Sequence, residues 1–254
     1  MSHENGLSHP LNLKFTAYPW LPVILMIAGA LQTLTFSPFH IWALGPVSVL
    51  LILLVTLNLP SEKLFRAGWF VGLGLFASGV SWIYISISKH GNTSVPIAVL
   101  LMVLFVAGLA LFHGLAFWFW GKLARQSMVR RLILFPAIWL LGDWLRGWLL
   151  TGFPWLYLGT AHTNGPLAGL APLTGVHGLT FWIVVTGAAA YGVWWLILAG
   201  RKTAAGQRRR SRYYPGCWLL PLTRSAGPVS ARSRKALPPC RAIFRNRSSG
   251  IRSS

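Results

Sequence analysis

Residues 95–120 read VPIAVLLMVLFVAGLALFHGLAFWFW, with no charged side chain from Val95 to Trp120. A bilayer core takes roughly 20 consecutive apolar residues per helix, with a range of about 17–25. This run therefore predicts a membrane-spanning helix, and the chain on either side repeats the pattern. WLPVILMIAGALQTLTF fills Trp20–Phe36 and IWALGPVSVLLILLVTLNL fills Ile41–Leu59. Further runs cover Ala67–Ile87, Leu132–Leu150 and Gly178–Gly200. Leu132–Leu150 is the weakest, because it carries Asp143 and Arg146. The segment before Trp20 is polar and lacks a small-residue cleavage site, so the first run reads as an uncleaved span. The expected fold class is an all-α polytopic membrane protein. It has about six transmembrane helices with a re-entrant or interfacial loop, then a disordered basic tail. Residues 1–19 form a cytoplasmic N-terminal segment, 20–200 the transmembrane helical domain and 201–254 the tail.

Composition agrees with that reading. Of the 254 residues, 54% are hydrophobic and 10% charged, and mean hydropathy is +0.57. A soluble domain averages about 25% charged residues, so an ordinary cytosolic globule is excluded. The 14 tryptophans suit a chain with many lipid–water interfaces. The net charge of +20 looks like a nucleic-acid signal until it is mapped. All three acids (Glu4, Glu62, Asp143) and nine of the 23 Lys/Arg lie in residues 1–200. The other fourteen Lys/Arg fall in residues 201–254, beside no acid at all, and no nucleic-acid partner is expected.

Within the apolar part, positive charge sets the orientation. Lys14 precedes the first run, Lys63 and Arg66 separate the second from the third, and Lys122, Arg125, Arg130 and Arg131 separate the fourth from the fifth. Arg201, Lys202 and Arg208–Arg210 follow the sixth. The N-terminus is expected on the cytoplasmic side, and the loops Ser37–His40, Ser88–Ser94 and Thr151–His177 outside. Gly68, Gly72, Gly74 and Gly79 in the third run are spaced for close helix approach. Histidines 40, 90, 162 and 177 read as loop or interface residues and His113 as a structural residue of a span. Neither these nor Cys217 and Cys240 have metal-ligand spacing; no metal and no cofactor is expected.

The stretch with chemical character is GDWLRGWLLTGFPWLYLGTAHTNGPLAGLAPLTGVHGLTF, Gly142 to Phe181. Asp143 and Arg146 are three apart, share a helix face and form a structural ion pair. The same spacing would serve a functional pair at membrane depth. Gly152–Trp155, GFPW, must break the helix, because proline lacks an N–H and pushes the preceding residue out of helical geometry. Irregular backbone at this depth must be buried in protein or line a cavity. Gly152, Phe153, Pro154, Trp155 and Tyr157 are thus candidates for a lipid-contact shelf.

These blocks resemble the apolipoprotein N-acyltransferases of the bacterial inner membrane. The resemblance is carried by FSPFHIW (Phe36–Trp42), GLGLFASGVSWIYISI (Gly72–Ile87) and RGWLLTGFPWLYLG followed by GPLAGLAPLTGVHGLTF (Arg146–Phe181). It covers roughly residues 20–200, and LRGWLLTGFPW is its most specific block. The resemblance implies a phospholipid acyl donor and an apolipoprotein acceptor. It also implies a nitrilase-like domain outside the inner membrane, with a Glu-Lys-Cys triad acting through a thioester. No residue of this chain is expected to be catalytic: no Asp or Glu follows Asp143, and both cysteines lie in the basic tail. The chain is therefore expected to be a truncated, inactive membrane domain.

The tail carries a sharper signal. With suitable codons, Arg241–Arg252 can be read in a shifted frame as QGNIPQSLKWDPQ, starting on the last base of Cys240. The family's catalytic domain opens on a segment very like QGNIPQSLKWD. A frameshift is accordingly expected between roughly Arg201 and Pro215. Two alternatives stay open. One is a small polytopic transporter or channel with a real basic tail, although no inverted repeat or intramembrane polar relay is visible. The other is a membrane-anchored binding protein whose tail docks on anionic lipid or nucleic acid.

Overall fold

The structure, a computed structural model, describes residues 20–124, 127–163 and 165–213, with side chains through residue 198. The chain divides into two compact units, Met1–Leu196 and Ile197–Ser254. The described part of the first is a helical bundle without strands. The N-terminal segment 1–19, both cysteines and the tail from residue 214, where most of the frameshift reading falls, lie outside the described residues.

The bundle begins with α1 (Leu21–Leu31), which tightens into a 3-10 turn at Gln32–Thr35, and continues with α2 (Leu44–Thr56). Next come α3 (Ser61–Gly79) and the short α4 (Trp82–Ile85), which leads into a π turn at Ser86–His90. The long α5 (Val95–Leu123) and α6 (Met128–Trp148) follow. The one-turn α7 (Leu158–Ala161) precedes α8 (Ala171–Tyr213), which is broken at Gly175, φ 65°. Residues 201–213, expected in the disordered tail, are therefore helical. Their Ala, Gln, Lys and Arg content favours helix.

Among the described residues, three segments are long and apolar enough to cross a bilayer: Val95–Leu123, Met128–Thr151 and Ala168–Leu198. A fourth exists if Ser61–Gly79 and Trp82–His90, bent by 54°, count as one span. The first two apolar runs form the shorter apolar helices Leu21–Thr35 and Leu44–Thr56. At 1.5 Å per residue the second spans only about 20 Å, against the ~30 Å of a hydrocarbon core. Prolines explain the shortening: Pro38 follows α1, Pro46 sits in the first turn of α2 and Pro60 closes the loop after it. Among the described residues, length and composition alone thus pick out three or four spans, and the other two of the about six expected runs are the shorter apolar helices.

Helix α3 packs on α1 on one side and α5 on the other, and its glycines make this possible. A Cβ on Gly72 would meet the Ala110 backbone of α5, and one on Gly74 would collide with the Met26 carbonyl of α1. Gly29 of α1 approaches the Val71 carbonyl in the same way. In a bilayer, where apolar side chains gain little by leaving lipid, such backbone-to-backbone contact is what holds helices together. Several polar groups are paired between elements. Ser48 receives a hydrogen bond from Gln32 (3.0 Å) and donates to the Ala28 carbonyl (2.7 Å), joining α1 to α2. At the other end of α2, Arg131 of α6 donates to the carbonyls of Leu57 and Leu59 at 2.7 and 2.8 Å. These carbonyls would otherwise lack partners where the helix stops.

Candidate functional site

Helix α6 runs through Asp143 and Arg146 and ends at Trp148. The backbone then takes three consecutive left-handed residues: Leu150 (φ 55°), Thr151 (φ 73°) and Gly152 (φ 81°). Gly152 is required on two grounds. Its φ suits glycine, and a Cβ there would collide with the Gly147 carbonyl. For Leu150 and Thr151 the same region costs about 1–2 kcal/mol per residue, so the surroundings must hold the turn. The Phe153 N–H donates to the Arg146 carbonyl at 2.8 Å and the Gly152 N–H to that of Leu149 at 3.0 Å, closing the helix end.

The centre of the arrangement is the Arg146 side chain, which is 1% exposed. Its Nη2 donates to Asp143 Oδ1 at 3.0 Å, and Asp143 is itself buried. Its Nη1 donates to the carbonyls of Phe153 (2.8 Å) and Trp155 (2.5 Å). The guanidinium lies over the Tyr157 ring at 4.6 Å and the Phe76 ring of α3 at 5.3 Å, both within cation–π range. One charge therefore fixes the non-helical segment to α6 through two carbonyls, a carboxylate and two aromatic faces. Arginine suits this task, since its planar fork carries several donors and stays charged.

The five shelf candidates have distinct surroundings. Trp155 is 53% exposed and stacks on Phe153, with ring centres 5.4 Å apart. Phe153 is partly buried and meets Phe105 of α5 edge-on at 5.3 Å. Pro154 and Trp155 line a cleft of about 550 Å³ together with Ser37, His40 and Thr160. Gly152 lines a different groove, against α5. Tyr157 turns inward: it is buried, meets His177 edge-on and holds its hydroxyl against Gly147. Burial raises the Tyr157 phenol above its ordinary pKa, with the Arg146 charge acting against that rise. The phenol stays protonated near neutral pH.

Beyond the shelf, Gly159 lies so close to α8 that a Cβ would collide with the Val176 carbonyl, and its N–H donates to Thr180 Oγ1 at 2.9 Å. His162 is buried edge-on to Trp42, and burial lowers its pKa, leaving the ring neutral. His113 sits inside the bundle between the rings of Phe76 (5.5 Å) and Trp139 (5.3 Å). Among the described residues no group of three His, Cys, Asp or Glu could hold a metal ion.

Sequence reasoning missed Phe76, the second ring over Arg146, and Phe105, the partner of Phe153. It also missed the α5 wall facing the turn. Neither phenylalanine had a distinguishing signal, since each is one apolar residue within a continuous apolar run.

A family model described as apolipoprotein N-acyltransferase N-terminal domain matches residues 28–189, which include every shelf residue and both members of the ion pair. The apolipoprotein N-acyltransferase of Vibrio parahaemolyticus is 38% identical over 182 residues, covering 70% of this chain and 36% of the relative. That of Pseudomonas aeruginosa is 42% identical over 180 residues, covering 69% and 35%. That of Azotobacter vinelandii is 42% identical over 168 residues, covering 65% and 33%. The chain thus matches about a third of the length of these curated relatives. A family-model match over more than half of its residues, agreeing with relatives close to 40% identical, places the chain in the apolipoprotein N-acyltransferase family.

Proposed function

We propose that this chain supplies the membrane part of an acyl transfer from phospholipid to the N-terminal diacylglyceryl-cysteine of an apolipoprotein. The shelf at Gly152–Trp155 takes the acyl donor. The observation that carries this reading is the Arg146 clamp: buried charge is costly at membrane depth, and here it is used to hold an aromatic, non-helical segment in place. Trp155 presents its indole outward beside the Phe153 ring, a surface suited to acyl chains, while Tyr157 backs the clamp from within. The nucleophile, base and oxyanion donor belong to a catalytic domain of the family type. Neither cysteine is proposed as nucleophile, because no carboxylate follows Asp143 to serve as base.

The test joins residues 1–200 in frame to everything that follows the matched region in the Pseudomonas aeruginosa relative, so that the chain can return to the outer side before a catalytic domain. Trp155→Ala in that protein should slow thioester formation while leaving membrane insertion intact. Wild-type rates at equal expression would mean that Trp155 only anchors the helix end and would remove the shelf from the mechanism.

The proposal includes a bacterial inner-membrane location, a cytoplasmic N-terminus and outward placement of the shelf, supported by the asymmetry of Lys and Arg between alternate loops. An impermeant thiol reagent added from outside should label cysteines introduced at Asn92 or Thr163 and spare one at Ser127. Outside labelling at Ser127 would invert the topology. A shifted reading frame in the basic tail also belongs to this proposal. Resequencing the encoding DNA tests it, and a confirmed tail as printed would remove it.

A further inference from the structure

We propose that His113 is a positioning residue for the Arg146 clamp, acting on Asp143 through one water molecule held between α5 and α6. This rests on the role proposed above for the shelf that the clamp holds, and it names the group on α5 that orients the clamp's carboxyl.

His113 is a buried imidazole within the otherwise apolar run of α5. An ionisable group at membrane depth is rare and ordinarily has a polar partner there. Its ring meets Phe76 and Trp139 edge-on, so packing accounts for the faces of the ring but not for its nitrogens. Nδ1 is buried without a hydrogen-bond partner. Most buried polar atoms have one, from protein or from ordered water, so an unpaired imidazole nitrogen calls for an explanation.

A small cavity supplies it. His113 of α5 and Asp143 of α6 both line this cavity, in a wall that is otherwise aromatic, Ala116 and Gly142. Gly142 lets α6 close on α5, since a Cβ there would stand 3.0 Å from that of Ala116. The two polar side chains are thus held across a narrow gap. The cavity is about 10 Å³, room for one water and for nothing larger. Arg146 takes Oδ1 of Asp143, and Oδ2 has lone pairs for a second donor. A neutral imidazole has one N–H and one acceptor nitrogen, so it can serve a bridging water from either side.

Fixing Asp143 fixes more than its own side chain. The same carboxyl receives Arg146 Nη2, while Nη1 holds the carbonyls of Phe153 and Trp155. Phe76 lies against both ends of this line, edge-on to His113 and 5.3 Å from the guanidinium. The connection therefore runs from the interior of α5 through the water, Asp143 and Arg146 to the shelf.

The test uses the whole chain purified in detergent. His113→Phe keeps an aromatic ring between Phe76 and Trp139 and removes both nitrogens. Amide exchange over residues 153–157 should quicken about fivefold, the change produced by about 1 kcal/mol, while residues 21–31 of α1 exchange as in the wild type. His113→Gln returns a donor and an acceptor to the cavity and should restore wild-type exchange. In an Asp143→Ala background, where the connection is already cut, His113→Phe should add nothing. A ring that only fills space would be replaced by phenylalanine without loss. Wild-type exchange in His113→Phe, or a glutamine variant no better than phenylalanine, would overturn the proposal. If His113→Phe fails to fold, the wild-type chain decides. A structure resolving its buried waters should show one within hydrogen-bond distance of both His113 and Asp143, and none at that place would also overturn the proposal. None of these measurements requires acyl transfer. A chimera whose Trp155→Ala variant keeps full activity would sink the shelf reading and leave the His113 connection standing.

Discussion

Arg146→Ala should cost about 3–5 kcal/mol of stability, the range for breaking a buried ion pair by removing one partner. The loss has two sources. Asp143 is left buried and without its 3.0 Å partner. The carbonyls of Phe153 and Trp155 lose the donor that ties them to α6. Unfolding in mixed micelles with a denaturing detergent reads the first effect, and amide hydrogen exchange over residues 153–157 reads the second. Removing both charges, in Asp143→Ala with Arg146→Ala, should cost less than Arg146→Ala alone, because no uncompensated carboxylate remains. A double variant as unstable as the sum of the two single ones would show that the pair is not coupled. Arg146→Ala with wild-type exchange over residues 153–157 would show that something else holds the shelf.

Gly74→Val should be the most damaging apolar substitution in the bundle. A Cβ at this position collides with the Met26 carbonyl, and the nearest atoms are α1 backbone, which cannot rotate away as a side chain could. Overpacking of this kind typically costs about 1–3 kcal/mol, occasionally more, and the rigid backbone puts Gly74 at the upper end. The same exchange at Gly108, where an added Cβ would meet no other part of the bundle within 4 Å, provides the control and should leave the unfolding midpoint within experimental error. Equal destabilisation at the two sites would mean that helix propensity, not close α1–α3 approach, sets the cost.

The two predictions separate what was legible in the sequence from what was not. The glycine spacing at residues 68–79 announced close packing before any partner was known, because only a missing side chain lets two backbones meet. The helix break at Gly152–Trp155 was equally legible, since proline and its predecessor leave no helical alternative. The positions of Asp143 and Arg146 on one face followed from their spacing. The two carbonyls and two rings that complete the Arg146 clamp did not, because they come from the turn beyond the helix and from α3. Helix lengths were overestimated where apolar runs continued through Pro46 and up to Pro60, since hydropathy does not register where a helix is capped or stopped.

By itself, the sequence determined an all-helical membrane chain, the glycines that let its helices touch, and the place where α6 must end. These are consequences of local chemistry: apolar length, absent side chains and a missing N–H. The tertiary structure alone decided that the chain turns by 54° between α3 and the Trp82–His90 segment, that Tyr157 faces inward while Trp155 faces outward, and that one arginine binds the turn to the bundle. Each of these depends on which backbone carbonyls and ring faces meet across residues distant in the chain. Many such pairings fit the same apolar pattern, and close packing selects among them.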